Sequence, residues 1–146
     1  MVATYDRHGI TFLYPRNWTL TTEDSPHSEC RCVTVQSPES GFWMLQTFGG
    51  PETPERLAAE ALQLLKQDYG ELEVVPIDEE MGATRLVGYD LQFFYLDFLV
   101  RCQVRSFALA DSNCVVLCQA EDGEFDQLAQ IFSAITTSLL KAVAWP

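Results

Sequence analysis

Few side chains in this sequence have the types and spacing that chemistry requires. The two histidines, His8 and His27, stand in polar, turn-like sequence. Neither has a His, Cys or carboxylate at metal-ligand spacing, so both are expected to face solvent. The five cysteines form no CxxC pair. Cys30 and Cys32 are separated by one residue, whereas zinc knuckles leave two to four. Cys102, Cys114 and Cys118 fall at strand positions and read as small core residues. No serine sits in a G-x-S-x-G elbow, and neither G-x-G-x-x-G nor a P-loop occurs. Gly49-Gly50 precedes a helical pattern, as an anion cradle would, but Pro51 and Glu52 make it a plain turn. These observations predict no catalytic set, no metal site and no cofactor, and hence a non-enzyme.

Two polar constellations remain as candidate binding residues. The first comprises Asp90, Gln92, Arg101, Gln103 and Arg105. With a tight turn at Leu96-Asp97, Tyr95 faces Phe98, Phe93 faces Val100, Leu91 faces Cys102 and Tyr89 faces Val104, all on one apolar face. The other face then pairs Asp90 with Gln103, Gln92 with Arg101 and Gly88 with Arg105. A slip of one residue would mix the faces, so the pattern selects the register. Leu-Asp is not a preferred two-residue turn. If this face is covered, its arginines need partners, for which Asp90 is placed; if it is open, it is a mixed-charge strip suited to recognition. The second constellation is the span 67–84, with Asp68, Glu71, Glu73, Asp78, Glu79 and Glu80 and no basic residue. It reads either as a solvated loop and edge strand blunted by charge or as a docking surface for a basic protein. Asp78-Glu79-Glu80 lacks the spaced oxygens of a calcium loop.

The elements that must position these residues follow from periodicity. Strands are expected over Gly9–Tyr14, Trp18–Thr22, Cys30–Gln36 and Phe42–Phe48. In the last of these, Phe42, Met44 and Phe48 oppose Trp43 and Leu45. Thr53 caps a helix with Pro54 in its first turn, and the helix runs to Tyr69 with Gly70 ending it. A short acidic-flanked strand, Leu72–Ile77, precedes a three-strand meander over Thr84–Ala120, turning again at Ala110–Asn113. The strand Cys114–Gln119 is apolar on both faces, which marks it as central or covered on both sides. Asp122 or Gly123 caps a final helix from Glu124 to Leu140, burying Phe125, Leu128, Ala129, Phe132, Ile135 and Leu139. The order predicts one α+β domain, residues 1–146, built on a mostly antiparallel sheet.

With 21 acidic against nine basic residues, the net charge is −12. That balance argues against nucleic acid and against anionic membrane as partners. No apolar h-region follows the N-terminus and no apolar run is long enough to span a bilayer, so a cytoplasmic protein is expected.

The opening Gly9-Ile-Thr-Phe-Leu-Tyr-Pro-Arg-Asn-Trp18, with its Tyr-Pro-x-x-Trp step, resembles PsbP-like proteins. The subsequent order also resembles them: hairpin, central helix, Gly88-Tyr89 meander, C-terminal helix. The superfamily includes the photosystem II subunit PsbP, a Ran-binding import factor and DcrB-like proteins. The resemblance implies an antiparallel sheet with helices on both sides and a non-catalytic binding or assembly role, with no shared catalytic residues to carry over. A protein partner, with a basic surface to match the acidic stretch, is the leading expectation. The alternative is a small-ligand domain whose pocket lies between meander and helix, lined by Tyr89, Phe93 and Tyr95; an enzyme undetected by motif is the third.

Overall fold

The computed structural model describes residues 1–24, 30–109 and 112–144. His27, Trp145 and the turn residues Ala110 and Asp111 lie outside them.

The chain begins with a hairpin, β1 (Val2–Arg7) and β2 (Ile10–Pro15), turning at His8-Gly9 with both φ angles positive (56° and 77°). β3 (Thr19–Asp24), β4 (Arg31–Gln36) and β5 (Phe42–Phe48) follow as an antiparallel run. α1 (Pro54–Tyr69) leads to β6 (Glu73–Met81), β7 (Thr84–Tyr95), β8 (Phe98–Leu109), β9 (Ser112–Glu121) and α2 (Asp122–Ala144). The main sheet has seven strands in the order β3-β4-β5-β9-β8-β7-β6, every pairing antiparallel; β1 and β2 form a separate pair. Thus β3 to β5 build inward from one edge, α1 carries the chain to the other, and the meander returns until β9 closes on β5.

Helices cover both faces, as an α+β, mostly antiparallel architecture requires. Leu57, Ala58 and Leu65 of α1 pack on Leu91, Phe93, Cys102, Val104, Val115 and Leu117. On the opposite face Phe125, Phe132, Ile135 and Leu139 of α2 pack on Trp43, Leu45, Phe107, Cys114, Val116 and Cys118. Consecutive residues of β9 therefore enter different cores, and this is why that strand is apolar on both faces. The β1–β2 hairpin packs beside α2 through Tyr5 and Phe12, Phe12 lying 4.8 Å from the Trp43 ring. Trp43 Nε1 donates to Thr136 Oγ1 at 3.0 Å, so the indole enters the core without an orphaned N–H.

α1 starts and stops where its caps require. Thr53 Oγ1 accepts from Arg56 N at 3.2 Å, and Gly70, at φ 74°, donates its N–H to the Lys66 carbonyl. At the start of α2 the capping side chain is Glu121, not Asp122 or Gly123. Its carboxylate accepts from Gly123 N and Glu124 N at 3.2 and 3.3 Å. Two further expectations change. Val2–Arg7 is a strand that the polar, unpatterned N-terminus did not announce. β6 continues to Met81, beyond Ile77, because every residue to the Gly82 turn pairs with β7.

The hairpin register is the one the alternation selects: Tyr95↔Phe98, Phe93↔Val100, Leu91↔Cys102, Tyr89↔Val104, Asp90↔Gln103, Gln92↔Arg101 and Gly88↔Arg105. Its apolar face is buried at Leu91, Phe93, Cys102 and Val104 but exposed at Tyr95 and Phe98. The cause is length. At about 3.4 Å per residue a 12-residue strand spans roughly 40 Å, against about 24 Å for the 16-residue α1. The helix cannot cover the whole hairpin.

Candidate functional site

On the α2 side the sheet is covered unevenly. α2 lies over β9 and the second half of β8 and reaches Trp43 and Leu45 of β5, and the same face of β6, β7 and the first half of β8 carries a polar strip interrupted by Val75, Ile77 and Leu86. Glu73, Glu79, Asp90, Gln92, Arg101, Gln103 and Arg105 share that face by strand parity.

Arg105 is buried, at 9% exposure, and four hydrogen bonds hold its guanidinium. Nε donates to Glu79 Oε1 and Nη2 to Asp90 Oδ1, both at 2.8 Å. Nη1 donates to the Tyr89 and Val104 carbonyls at 3.1 Å. Such a fork, pinned at four acceptors, ties β6, β7 and β8 together, and it satisfies a charge that would otherwise be costly inside. Gly88 lets the β8 backbone come close beside the fork: a Cβ there would lie far inside van der Waals contact with the Val104 carbonyl. Asp90 is thus the partner of Arg105 that the register implied, with Glu79 as the second.

Arg101 is half-buried at the start of α2. Nη1 lies 2.6 Å from Asp126 Oδ1 and 3.8 Å from Asp122 Oδ1, and the guanidinium sits 4.5 Å from the Phe125 ring centroid. Between Arg101 and the β6 edge is a cavity of about 190 Å³, lined by Glu73, Val75, Asp90, Gln92, Arg101, Gln103 and Phe125. Four of the five strip residues therefore converge on one hollow.

The acidic span divides. Asp78 is neutralised by Arg85, which donates Nε and Nη2 to its two oxygens at 3.0 and 2.9 Å and reaches Glu55 at 3.2 Å. Those hydrogen bonds hold the Asp78 carboxyl below its ordinary value. Glu79 belongs to the Arg105 fork. Glu71, Glu73 and Glu80 are exposed. Pro76 and the carboxylates of β6 suit an edge strand, where a missing N–H and charge both discourage further pairing.

The aromatic pocket takes another form. Tyr69 of α1 stacks on Phe93 (4.1 Å between centroids) and meets Tyr95 edge-on at 5.7 Å, filling the space between them. Phe93 instead walls an open groove of about 520 Å³ with Tyr69, Phe94 and Leu99. Tyr95 walls another, of about 750 Å³, with Phe98 and Val100.

One buried polar site has no counterpart in the sequence reading. Glu124 is 9% exposed and caps the β4–β5 loop. Its Oε1 accepts from Ser37 Oγ (2.9 Å) and Gly41 N (3.0 Å), and its Oε2 from Ser40 N (3.1 Å) and Ser40 Oγ (2.5 Å). Burial alone would raise its pKa, but the Ser40, Ser37 and Gly41 hydrogen bonds outweigh it and hold the carboxyl below the ordinary value. The available signal was a glutamate at an otherwise apolar helix position facing a Ser-Pro-Glu-Ser-Gly loop, 83 to 87 residues away in sequence.

Burial pushes the Cys102 and Cys114 thiols up to about 12, and Cys118 is raised well above its ordinary value by the same cause. They are inert core residues, as expected. His8 is exposed in its turn. Among the described residues, no group of three or more His, Cys, Asp or Glu is arranged to hold a metal ion, and no helix is long and apolar enough to cross a membrane.

Comparison with solved structures places this architecture. The cyanobacterial PsbP of Synechocystis sp. PCC 6803 superposes with a TM-score of 0.66 at 12% identity, over 94% of this chain and 90% of that one. The chain has the PsbP-like fold. The Ran-binding protein Mog1p of Saccharomyces cerevisiae matches at TM-score 0.56 and 12% identity, over 99% of this chain and 93% of that one. LpqN of Mycobacterium tuberculosis, described as involved in cell envelope biogenesis, matches at 0.55 and 13%, over 92% and 87%. No protein-family model and no curated protein matches the sequence.

Proposed function

We propose that this chain is a non-catalytic protein-binding or assembly factor. The acidic β6 edge and the open polar half of the PsbP-like sheet form its contact with a basic partner. The observation that carries the reading is the uneven cover of α2. It leaves Glu73, Asp90, Gln92, Arg101 and Gln103 on one rigid, hydrogen-bonded surface at the sheet edge. A net charge of −12 steers association toward basic surfaces and makes it sensitive to salt. That a protein of this fold is named as Ran-binding agrees with a binding role.

Small-ligand binding is the second reading. Its candidate sites are the open grooves of about 520 and 750 Å³ walled by Phe93 and by Tyr95, and the hollow beside Arg101. Size counts against the hollow. About 190 Å³ is below the roughly 300–1,000 Å³ of ordinary ligand sites, room for only a few heavy atoms.

The test is affinity capture from the native host at low and high salt, with the wild-type chain and a Glu80→Lys/Gln103→Ala variant. A partner retained at low salt, released at high salt and lost with the variant is expected. Capture indifferent to both would overturn the assignment of the contact to this surface.

A further inference from the structure

The far end of the β7–β8 hairpin breaks the usual pattern of a solvated surface. Phe94, Leu96 and Phe98 are 71%, 75% and 63% exposed, and Tyr95 is 52% exposed. They belong to a ribbon, residues 93–99, that runs past its neighbours: β6 stops pairing at Gln92 and β9 at Val100. Its turn is made by Leu96 and Asp97 at φ 50° and 68°, both left-handed, where Asn-Gly would be relaxed. An apolar residue is thus kept at the tip against backbone preference, at a position where folding gains no burial from it.

The ribbon is a ridge between two open grooves. One is walled by Phe94 and Leu99 and rimmed by Glu71 and Glu73. The other is walled by Tyr95 and Phe98 and rimmed by Glu39 and Glu121. Among the described residues, no Lys or Arg lines either groove. Apolar side chains flanked on both sides by carboxylates specify the chemistry of what covers them.

We propose that this ridge docks a basic amphipathic segment of a partner protein. The segment's apolar side chains pack on Phe94, Leu96 and Phe98, and its Lys or Arg side chains meet Glu71, Glu73, Glu39 and Glu121. A second copy of the chain would bring the same carboxylates against their like, and an anionic bilayer would be repelled in the same way. The inference rests on the reading of the chain as a protein-binding factor but centres on the hairpin tip, which adjoins the polar strip at Glu73 and Gln92.

The probe is a synthetic Leu/Lys amphipathic peptide, with its Leu/Glu counterpart, measured by fluorescence anisotropy. The proteins are the wild type, a Phe94→Ser/Leu96→Ser/Phe98→Ser variant and the Glu80→Lys/Gln103→Ala variant, each first checked for folding by circular dichroism. Expected are salt-sensitive binding of the Leu/Lys peptide to wild type, no binding of the Leu/Glu peptide, and a loss of at least about tenfold in the triple variant. The Glu80/Gln103 variant should bind as wild type does. Equal binding by the triple variant, or no binding by wild type, overturns the proposal. So does ridge-dependent self-association in light scattering, or ridge-dependent binding to phosphatidylcholine vesicles in place of the peptide. Loss in the Glu80/Gln103 variant alone would return the contact to the strip.

Discussion

Glu124 and Gly88 show how single residues hold the two halves of the sheet to their partners. Glu124 is an acceptor for four donors, so Glu124→Gln turns an amide donor toward donors in the Ser37–Gly41 loop. The expected cost is about 1–3 kcal/mol in urea unfolding. The pH dependence has a definite sign. The folded pKa lies below the ordinary value near 4.5, so the unfolded chain binds the proton more readily. The stabilisation is complete above that value and is lost as pH falls through the folded pKa. The Gln variant should therefore show a shallower acid limb in a stability–pH profile. Gly88 answers to space, not charge. Gly88→Ala would press a methyl on the Val104 carbonyl and part β7 from β8, with an expected loss of about 2 kcal/mol or more in thermal or urea melts. An alanine variant with unchanged stability would show that the strands yield there without cost.

Among the elements, the β7–β8 hairpin departs furthest from what folding alone would select. Two non-glycine residues in left-handed conformation cost about 1 kcal/mol or more each. Replacing Leu96-Asp97 by Asn-Gly should raise the urea midpoint, by roughly 1 kcal/mol of stability, while removing one exposed tip side chain. A variant no more stable than wild type would mean that Leu96 contributes to the fold. α1 shows the opposite case: Thr53, Pro54 and Gly70 set its ends in sequence, and the structure keeps each of them. The register of β7 on β8 was legible for a related reason. Alternation over 12 residues leaves one pairing that separates Leu91, Phe93, Cys102 and Val104 from Asp90, Gln92, Arg101 and Arg105. The β1 strand was not legible, since its pairing with β2 buries little beyond Tyr5 and so imprints no apolar period.

For the whole molecule, two cores on opposite faces of one sheet imply that the buried thiols become accessible only when the packing opens. Iodoacetamide at mildly alkaline pH should label the half-buried Cys30 and Cys32 first. It should reach Cys102, Cys114 and Cys118 only in denaturant, as peptide mapping would reveal. Early labelling of Cys114 or Cys118 would show that α2 lifts from the sheet. Periodicity, caps and turn chemistry are local properties, and by themselves they determined the helices, the meander, its register and the α+β class. What lies above a strand depends on where a helix from elsewhere in the chain comes to rest. Only the tertiary structure decided that Arg105 is enclosed between Glu79 and Asp90, that Glu124 caps a distant loop, and that the hairpin outruns β6 and β9 to leave Phe94, Leu96 and Phe98 in water. Burial is a relation between elements, and a sequence period reports only the side of its own element that is apolar.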